Sequence, residues 1–433
     1  MAATAALFAL AIVGFALISG RVGRWNITMP MVFVALGAVT DATGLVDLDV
    51  EIEGVAVIGE ITLAVILFGD AVRIDLRALR RDLGLPLRLL AIGLPLAVVL
   101  GAGVVSVLLP SLSIWEAALV AAILAPTDAA LGQAVVEEES VPIRVRQGLN
   151  VESGLNDGLA VPAVLLFMAL ASGEAETDPG FWGEFVLRQV GLGAIIGLAV
   201  GGIGGWAISR AGSRGWIEGI YGQLATVSLA GLALATALTA GANGFIAAFV
   251  AGATFGGVVG SEKAESLDEY TEDTGRALAM FAFFLFGNLF VLDALSATSV
   301  VIIACALASL TVGRIVPVAL SLLGMGAAWP TTLFLGWFGP RGLASILFGL
   351  QLLEEDLAGA DELFSIIAWT VVASVFLHGA TAGWGARRYG RWWAEMSTHE
   401  DMDDMPESMP VAPQRIRWRR GPLGPAVSAI IDR

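Results

Sequence analysis

The chain has 433 residues, 57% of them hydrophobic and only 15% charged, where soluble domains carry about 25% charged residues. That balance excludes a soluble cofactor enzyme, and no P-loop lysine or Rossmann fingerprint in a βαβ context occurs. One cysteine, Cys305, and two histidines leave no disulfide, no cysteine metal cluster and no histidine-based zinc or haem site. The formal net charge is −16, and neither a cofactor nor a nucleic-acid partner is expected.

Uncharged runs rich in Gly, Ala, Leu and Val recur from end to end, at the length of about 20 residues that a helix needs to cross a hydrocarbon core. They fall at 2–20, 27–45, 54–71, 86–109, 115–135, 148–171, 184–209, 219–240, 243–260, 276–292, 297–323, 329–352 and 362–384. The expected fold is an all-α polytopic membrane protein of about thirteen transmembrane helices. The run 2–20 has no basic residue ahead of it and reads as a span rather than a cleaved signal.

Alternating these spans puts the arginine-bearing loops on one side: Arg21/Arg24, Arg73 to Arg88, Arg144/Arg146, Arg210/Arg214 and Arg387 to Arg391. The facing loops are acidic, at Asp47 to Glu53, Glu174 to Asp178 and Glu354 to Glu362. Basic loops mark the cytoplasmic face, which places the N-terminus outside and the tail 385–433 inside a cell's inner (plasma) membrane. The acidic segment 261–275, with Lys263, reads as a cytoplasmic loop. Gly193, Gly197, Gly201 and Gly205 form a small-residue stripe against which another helix can pack closely.

Two spans are interrupted at their centres, one by Pro126-Thr127-Asp128 and the other by Gly339-Pro340-Arg341-Gly342. Proline removes a backbone donor and clashes with the preceding turn. In a bilayer such breaks persist only where the freed groups face protein or a watery cavity. The breaks lie seven spans apart, each second from last in a five-span block. An odd separation makes the blocks inverted repeats with two discontinuous helices crossing at the midplane.

Ionisable groups inside a span need a reason, because each costs several kcal/mol at the bilayer centre. Asp70, Asp128, Glu152 and Asp157 are such groups, with Arg314 and Arg341 as deep cations. On one helix Ser153 and Asp157 share a face, while Glu152 and Asn156 share the adjacent one. Asp128 at a helix break completes a set of oxygens suited to a hard cation such as Na⁺. One carboxylate that takes either H⁺ or the cation, never both, makes an exchanger by competition alone. Arg341 would balance the buried negative charge, and Arg314 would do so for Asp70 or another acid. Asp70 itself sits near a span end beside the basic Arg73–Arg81 loop and reads more readily as an interfacial charge. His378 reads as a packing and hydrogen-bonding residue.

Pro126-Thr127-Asp128 followed by Glu152-Ser153-Gly154-Leu155-Asn156-Asp157 resembles the paired motifs of NhaP-type sodium/proton antiporters, prokaryotic relatives of the animal Na⁺/H⁺ exchangers. Leu67 to Asp70, the Gly-Pro-Arg-Gly break and Ser374 to Ala382 extend the resemblance from about residue 10 to 390. The resemblance implies a homodimer working by an elevator-like cycle. It implies a dimerisation domain from 1–85 and 219–292, a core domain from 86–172 and 297–384, and a linker helix at 184–209 between them. Asp157 would be the main cation and proton carboxylate, with Ser153 and Asp128 as ligands and Thr127 a ligand through its main chain. Glu152 would be an outer ligand held by Asn156, and Arg341 would stabilise the core. The Asn156-Asp157 pair implies electroneutral exchange. Gly69-Asp70 departs from the acid-then-glycine order common in relatives.

A K⁺/H⁺ exchanger, or a sodium-coupled carrier on the same plan, stays open from these residues. An intramembrane aspartyl protease needs two facing catalytic aspartates, one within Gly-x-Gly-Asp, and Phe68-Gly69-Asp70 lacks the first glycine.

Overall fold

A computed structural model describes residues 2–45, 52–73, 84–173, 183–184, 187–218, 220–355, 357 and 359–396. The loop acids Asp47, Asp49, Glu51, Glu174, Glu176, Asp178 and Asp356, the arginines Arg77, Arg80 and Arg81, and the tail beyond 396 lie outside those residues. Among the described residues there is helix and no strand.

In chain order the helices are α1 (Ala2–Val22), α2 (Met29–Ala42), α3 (Ile52–Val72), α4 (Gly84–Leu108), α5 (Ile114–Ile123), α6 (Ala129–Val136), α7 (Ile143–Ala171) and α8 (Leu187–Ser213). They continue as α9 (Tyr221–Thr239), α10 (Gly244–Val259), α11 (Ser261–Leu289), α12 (Val291–Ser296), α13 (Val300–Ser321), α14 (Trp329–Trp337), α15 (Leu343–Glu354) and α16 (Ala360–Met396). Seven of the described helices are long and apolar enough to cross a membrane, and five more are shorter apolar helices. Each expected span coincides with one helix or with two end to end. The two proline-interrupted spans are α5/α6 and α14/α15, broken over 124–128 and 338–342.

One expectation is corrected. The acidic segment 261–275 is not a loop but the first half of α11, so Lys263 is helical. Gly260, at φ +85, turns the chain. The Glu/Lys/Ala/Leu-rich sequence after it has high helix propensity, and acids are favourable near a helix N-terminus.

Helix pairing follows the inverted-repeat plan. In that plan α2, α3, α4, α5/α6 and α7 correspond to α10, α11, α13, α14/α15 and α16. Exchanging the blocks carries the α2–α11 packing onto α10–α3, α4–α5 onto α13–α14, and α6–α7 onto α15–α16, and all six packings are present.

The closest approaches are backbone on backbone. The α8 stripe lies against α10, where a Cβ on Gly201 would overlap the Ala251 carbonyl. Gly252 and Gly256 of α10 lie in the same way on the Phe68 and Val72 carbonyls of α3. In lipid, where apolar burial gives little drive between helices, such close packing holds a bundle together. Gly201→Leu is expected to lower stability by about 1–3 kcal/mol or more through overpacking. Gly212→Leu, on the same helix with open space around it, is expected to change little; thermal unfolding of the purified protein compares the two.

Candidate functional site: acids at the helix crossing

The two breaks meet. The Asp128 N–H donates to the Pro340 carbonyl (2.8 Å), and Ser345 Oγ donates to the Ile123 carbonyl (2.8 Å). Asp128 caps both outgoing half-helices at once. Its Oδ1 accepts from the Leu131 N–H of α6 (3.1 Å), and its Oδ2 accepts from the Leu343 N–H of α15 (2.8 Å). A negative side chain suits two helix N-termini, which carry partial positive charge. Gly342 makes this possible, since a Cβ there would overlap the Asp128 carboxylate.

The incoming half-helices end in carbonyls, and cations or donors meet them. Arg341 Nη1 donates to the carbonyls of Ala125 (2.9 Å) and Pro126 (3.1 Å) at the end of α5. The Arg341 N–H donates to Ser374 Oγ (2.6 Å) on α16. Four residues on, His378 Nε2 lies 2.9 Å from the Trp337 carbonyl at the end of α14; a carbonyl only accepts, so Nε2 carries the hydrogen. Ser374 Oγ lies 3.1 Å from Nδ1 of the same ring. His378 is thus buried and hydrogen-bonded, in the packing role its sequence context suggested.

Glu152 of α7 pairs with Arg314 of α13 through two parallel bonds of 2.5 and 2.6 Å, with both side chains 2% exposed. Asn156 was expected to hold Glu152. Instead its Nδ2 donates to Thr127 Oγ1 (2.6 Å). The reason is charge: a bidentate guanidinium is a stronger partner for a buried carboxylate than an amide. Arg314 therefore answers Glu152 and not Asp70. Arg341 stands near both of them as an electrostatic neighbour.

Asp157 lies one turn beyond Ser153 on α7 and is buried, with Oδ1 lacking any hydrogen-bond partner. Asn156 Oδ1 is likewise unpartnered. Ser153 Oγ is 3.0 Å from Thr127 Oγ1, so hydroxyls of the broken helix and of α7 meet beside Asp157. Asp128 and Asp70 are the electrostatic neighbours of Asp157. Asp70, near the end of α3, is half-buried and faces Gly154, where a Cβ would sit 3.5 Å from its own Cβ. The structure thus gathers Asp157, Asp128, Ser153, Thr127 and Asn156, sets Asp70 at their edge, and gives Glu152 to Arg314. Among the described residues no cluster of three His, Cys, Asp or Glu has the geometry of a metal centre.

A second charged cluster was not anticipated as a unit. Arg73, just past α3, donates from Nε to Asp268 Oδ2 (2.9 Å) and from Nη2 to Glu272 Oε2 (2.5 Å); Glu272 also pairs with Arg276. The signal in the sequence was an acidic segment on the same face as an arginine-rich loop. Asp268 precedes the apolar part of α11, and burial pushes its carboxyl up to about 6 against the opposing pull of Arg73.

The model of the sodium/hydrogen exchanger transmembrane family matches residues 7–387. The chain belongs to that family, which is one of transporters rather than enzymes. It is 27% identical over 381 residues to the K(+)/H(+) antiporter NhaP2 of Shewanella oneidensis, an alignment covering 86% of this chain and 64% of that protein. It is 29% identical over 371 residues to the Na(+)/H(+) antiporter ApNhaP of Aphanothece halophytica, covering 82% of this chain and 68% of that one. The chain therefore spans 64% of the length of the first of these relatives. The sodium proton antiporter MjNhaP1 from Methanocaldococcus jannaschii, solved at pH 8, superposes with a TM-score of 0.74 at 21% identity, covering 89% of this chain and 98% of that one. The architecture is the antiporter fold, with crossing discontinuous helices and a multi-pass membrane chain.

Two outcomes follow from these charges. Glu152→Gln leaves a buried guanidinium without its counter-charge and is expected to cost about 3–5 kcal/mol, whereas Glu152→Leu combined with Arg314→Met is expected to cost much less. Thermal unfolding of the three proteins decides. For Asp268, a folded pKa of about 6 against an ordinary 3.8 means the folded state holds this proton at a higher pH than the unfolded chain. Its contribution to stability therefore falls as pH rises between those values. A carboxyl C=O infrared band is expected to grow on acidification through about pH 6 and to be missing from Asp268→Asn.

Proposed function

We propose that the chain is a secondary active transporter that exchanges Na⁺ for H⁺ by alternating access, one cation against one proton at a single site. The observation that carries this is the buried Asp157 carboxylate with an unpartnered oxygen, set beside the Thr127 and Ser153 hydroxyls. An ionised carboxylate out of water is costly without a counter-charge. Occupation by a proton or by a cation removes that cost, and the two compete.

In this reading the proton binds Asp157 and leaves when the cation arrives. The cation is held by Asp157, by Ser153, by Asp128 and by the Thr127 main chain, all oxygen donors suited to a hard monovalent ion. Asn156 fixes the Thr127 hydroxyl. Glu152, neutralised by Arg314, keeps α7 and α13 in register, and Arg341 offsets the remaining negative charge while holding the α5 carbonyls. A site that takes one H⁺ or one cation is electroneutral over a cycle.

The scaffold would comprise 1–85 and 219–292, the mobile core 86–172 and 297–384, with 184–209 as the linker helix, in a homodimer. The arginine-rich face would be cytoplasmic, with the N-terminus outside and the tail inside the plasma membrane. A second reading, K⁺/H⁺ exchange on the same site, is favoured by the relatives named as K(+)/H(+) antiporters.

Proteoliposomes with an imposed pH gradient and a trapped pH dye test it. Na⁺ is expected to release the gradient, and Asp157→Asn to abolish the response. Response to K⁺ alone keeps the mechanism and changes the substrate. Folded protein that answers neither Na⁺, Li⁺ nor K⁺ between about pH 5 and 9, a range that starts just above ordinary carboxylate titration, overturns the exchanger.

A further inference from the structure

The apolar span Gly54–Val72 of α3 contains two ionisable side chains, Glu60 and Asp70. Asp70 has a reason for its place, since it faces Gly154 at the edge of the carboxylate cluster. Glu60 takes no part in that cluster. It lies ten residues earlier, about 15 Å along the helix axis, on the side away from Arg73. An acid at this depth is rare and needs a polar partner or a watery path.

Gln351 of α15 is its polar neighbour, and the Glu60 side chain is half-buried. The neighbouring residue makes the same junction tight, because a Cβ on Gly59 would overlap Cδ2 of Leu347, one turn before Gln351 on α15. Residues 59–60 of α3 therefore seat against 347–351 of α15. That half-helix is no ordinary neighbour, for its first residue, Leu343, is held by Asp128 at the crossing. Gln351 is thus coupled by eight residues of helix, about 12 Å, to the site itself. A shift of the crossing relative to α3 must break the Glu60–Gln351 contact and lift Leu347 from Gly59.

The partner chemistry suits a contact made to break. An arginine or lysine would fix a permanent ion pair with Glu60. Glutamine offers both a donor and an acceptor, so it can pair with the acid whether or not that acid carries a proton. Released from Gln351, Glu60 would be a free carboxylate at the junction of α3 and α15, on the side of the helix away from Arg73.

We infer that Glu60 is a cation-positioning residue on the outer side of the site, latched by Gln351 while the outer seam is closed. The inference rests on the exchange reading above. It assigns to α3 one acid on each side of Asp157: Asp70 toward the arginine-rich face and Glu60 toward the other. Monovalent cations entering or leaving through the outer seam meet Glu60 first.

The test separates the two faces. Exchange is measured in right-side-out and in everted membrane vesicles carrying wild type, Glu60→Gln, Glu60→Asp or Asp157→Asn. For Glu60→Gln the KM for Na⁺ presented at the outer face is expected to rise about five-fold or more, an order set by the loss of one charge contact. The KM at the inner face and kcat at both are expected to stay within about two-fold, the scatter of a surface-like change, with Glu60→Asp restoring the outer KM. A second measurement reads the latch directly. With Cys305→Ser as background and Leu347→Cys as the probe, an impermeant maleimide applied outside is expected to label faster when Gln351→Ala is added. Equal KM changes at both faces, or no change at either, overturn the inference, as does unchanged labelling. Wild-type vesicles that do not exchange at all sink the functional reading instead, and Asp157→Asn marks that baseline.

Discussion

A helix that stops inside a membrane must find partners for the carbonyls or amides its last turn leaves open, and no water is at hand to supply them. Four such ends meet where α5/α6 crosses α14/α15. The protein answers with side chains of the two breaks: Asp128 for the amides of both outgoing helices, Arg341 for the carbonyls of α5. His378 serves a carbonyl at the end of α14, that of Trp337, from α16. Each break therefore completes the other, and neither half-helix can be displaced alone. The acid and the arginine at the crossing are first of all the structural condition for having a crossing, and only then part of an ion site.

The four acids within the spans, two buried and two half-buried, are treated differently, and the difference sorts their roles. Glu152 is fully matched by Arg314 in two parallel bonds. Asp128 gives both oxygens to backbone amides. Asp70 lies at the end of a helix near Arg73, its electrostatic neighbour. Asp157 alone among them has a buried oxygen with no protein partner. A carboxylate kept dry and unmatched is unstable as it stands, so its partner has to come from outside the protein. The proton and the hard cation are two partners that fit between a carboxylate and neighbouring hydroxyls, and the proposed competition at this residue rests on that.

Much of this was legible in the sequence because chemistry inside a bilayer is conspicuous. Proline with a charge at the centre of an apolar run marked both breaks, and the Glu152 to Asp157 cluster marked α7. The block symmetry could be read from span order, and the glycine stripe of α8 from its four-residue spacing. Partner choice was not legible. Arg314 and Glu152 are 162 residues apart, and nothing local says which acid a distant arginine meets. Helical spacing puts Asn156 on one face with Glu152, but it does not show the stronger competitor arriving from α13. The acidic half of α11 looked like a loop because polar composition outweighed its helix-forming residues. Glu60 has no neighbouring motif and its polar neighbour Gln351 sits on another helix, so nothing local marks it.

The same packing also says where movement is possible. On one side α3 is joined to α10 by backbone against backbone, with Gly252 and Gly256 on the Phe68 and Val72 carbonyls. Such a contact leaves no side chain to rearrange, so the two helices behave as one body. On its other side α3 meets the crossing helices through side chains: Leu347 over Gly59, Gln351 on Glu60, and Asp70 facing Gly154. These contacts can be exchanged for others by a rigid shift of α7 and α15, because side chains rearrange where backbone packed on backbone cannot. A boundary between a glued face and a re-formable one, running along α3 past Gly154, is what the proposed exposure of one site to two sides in turn would require.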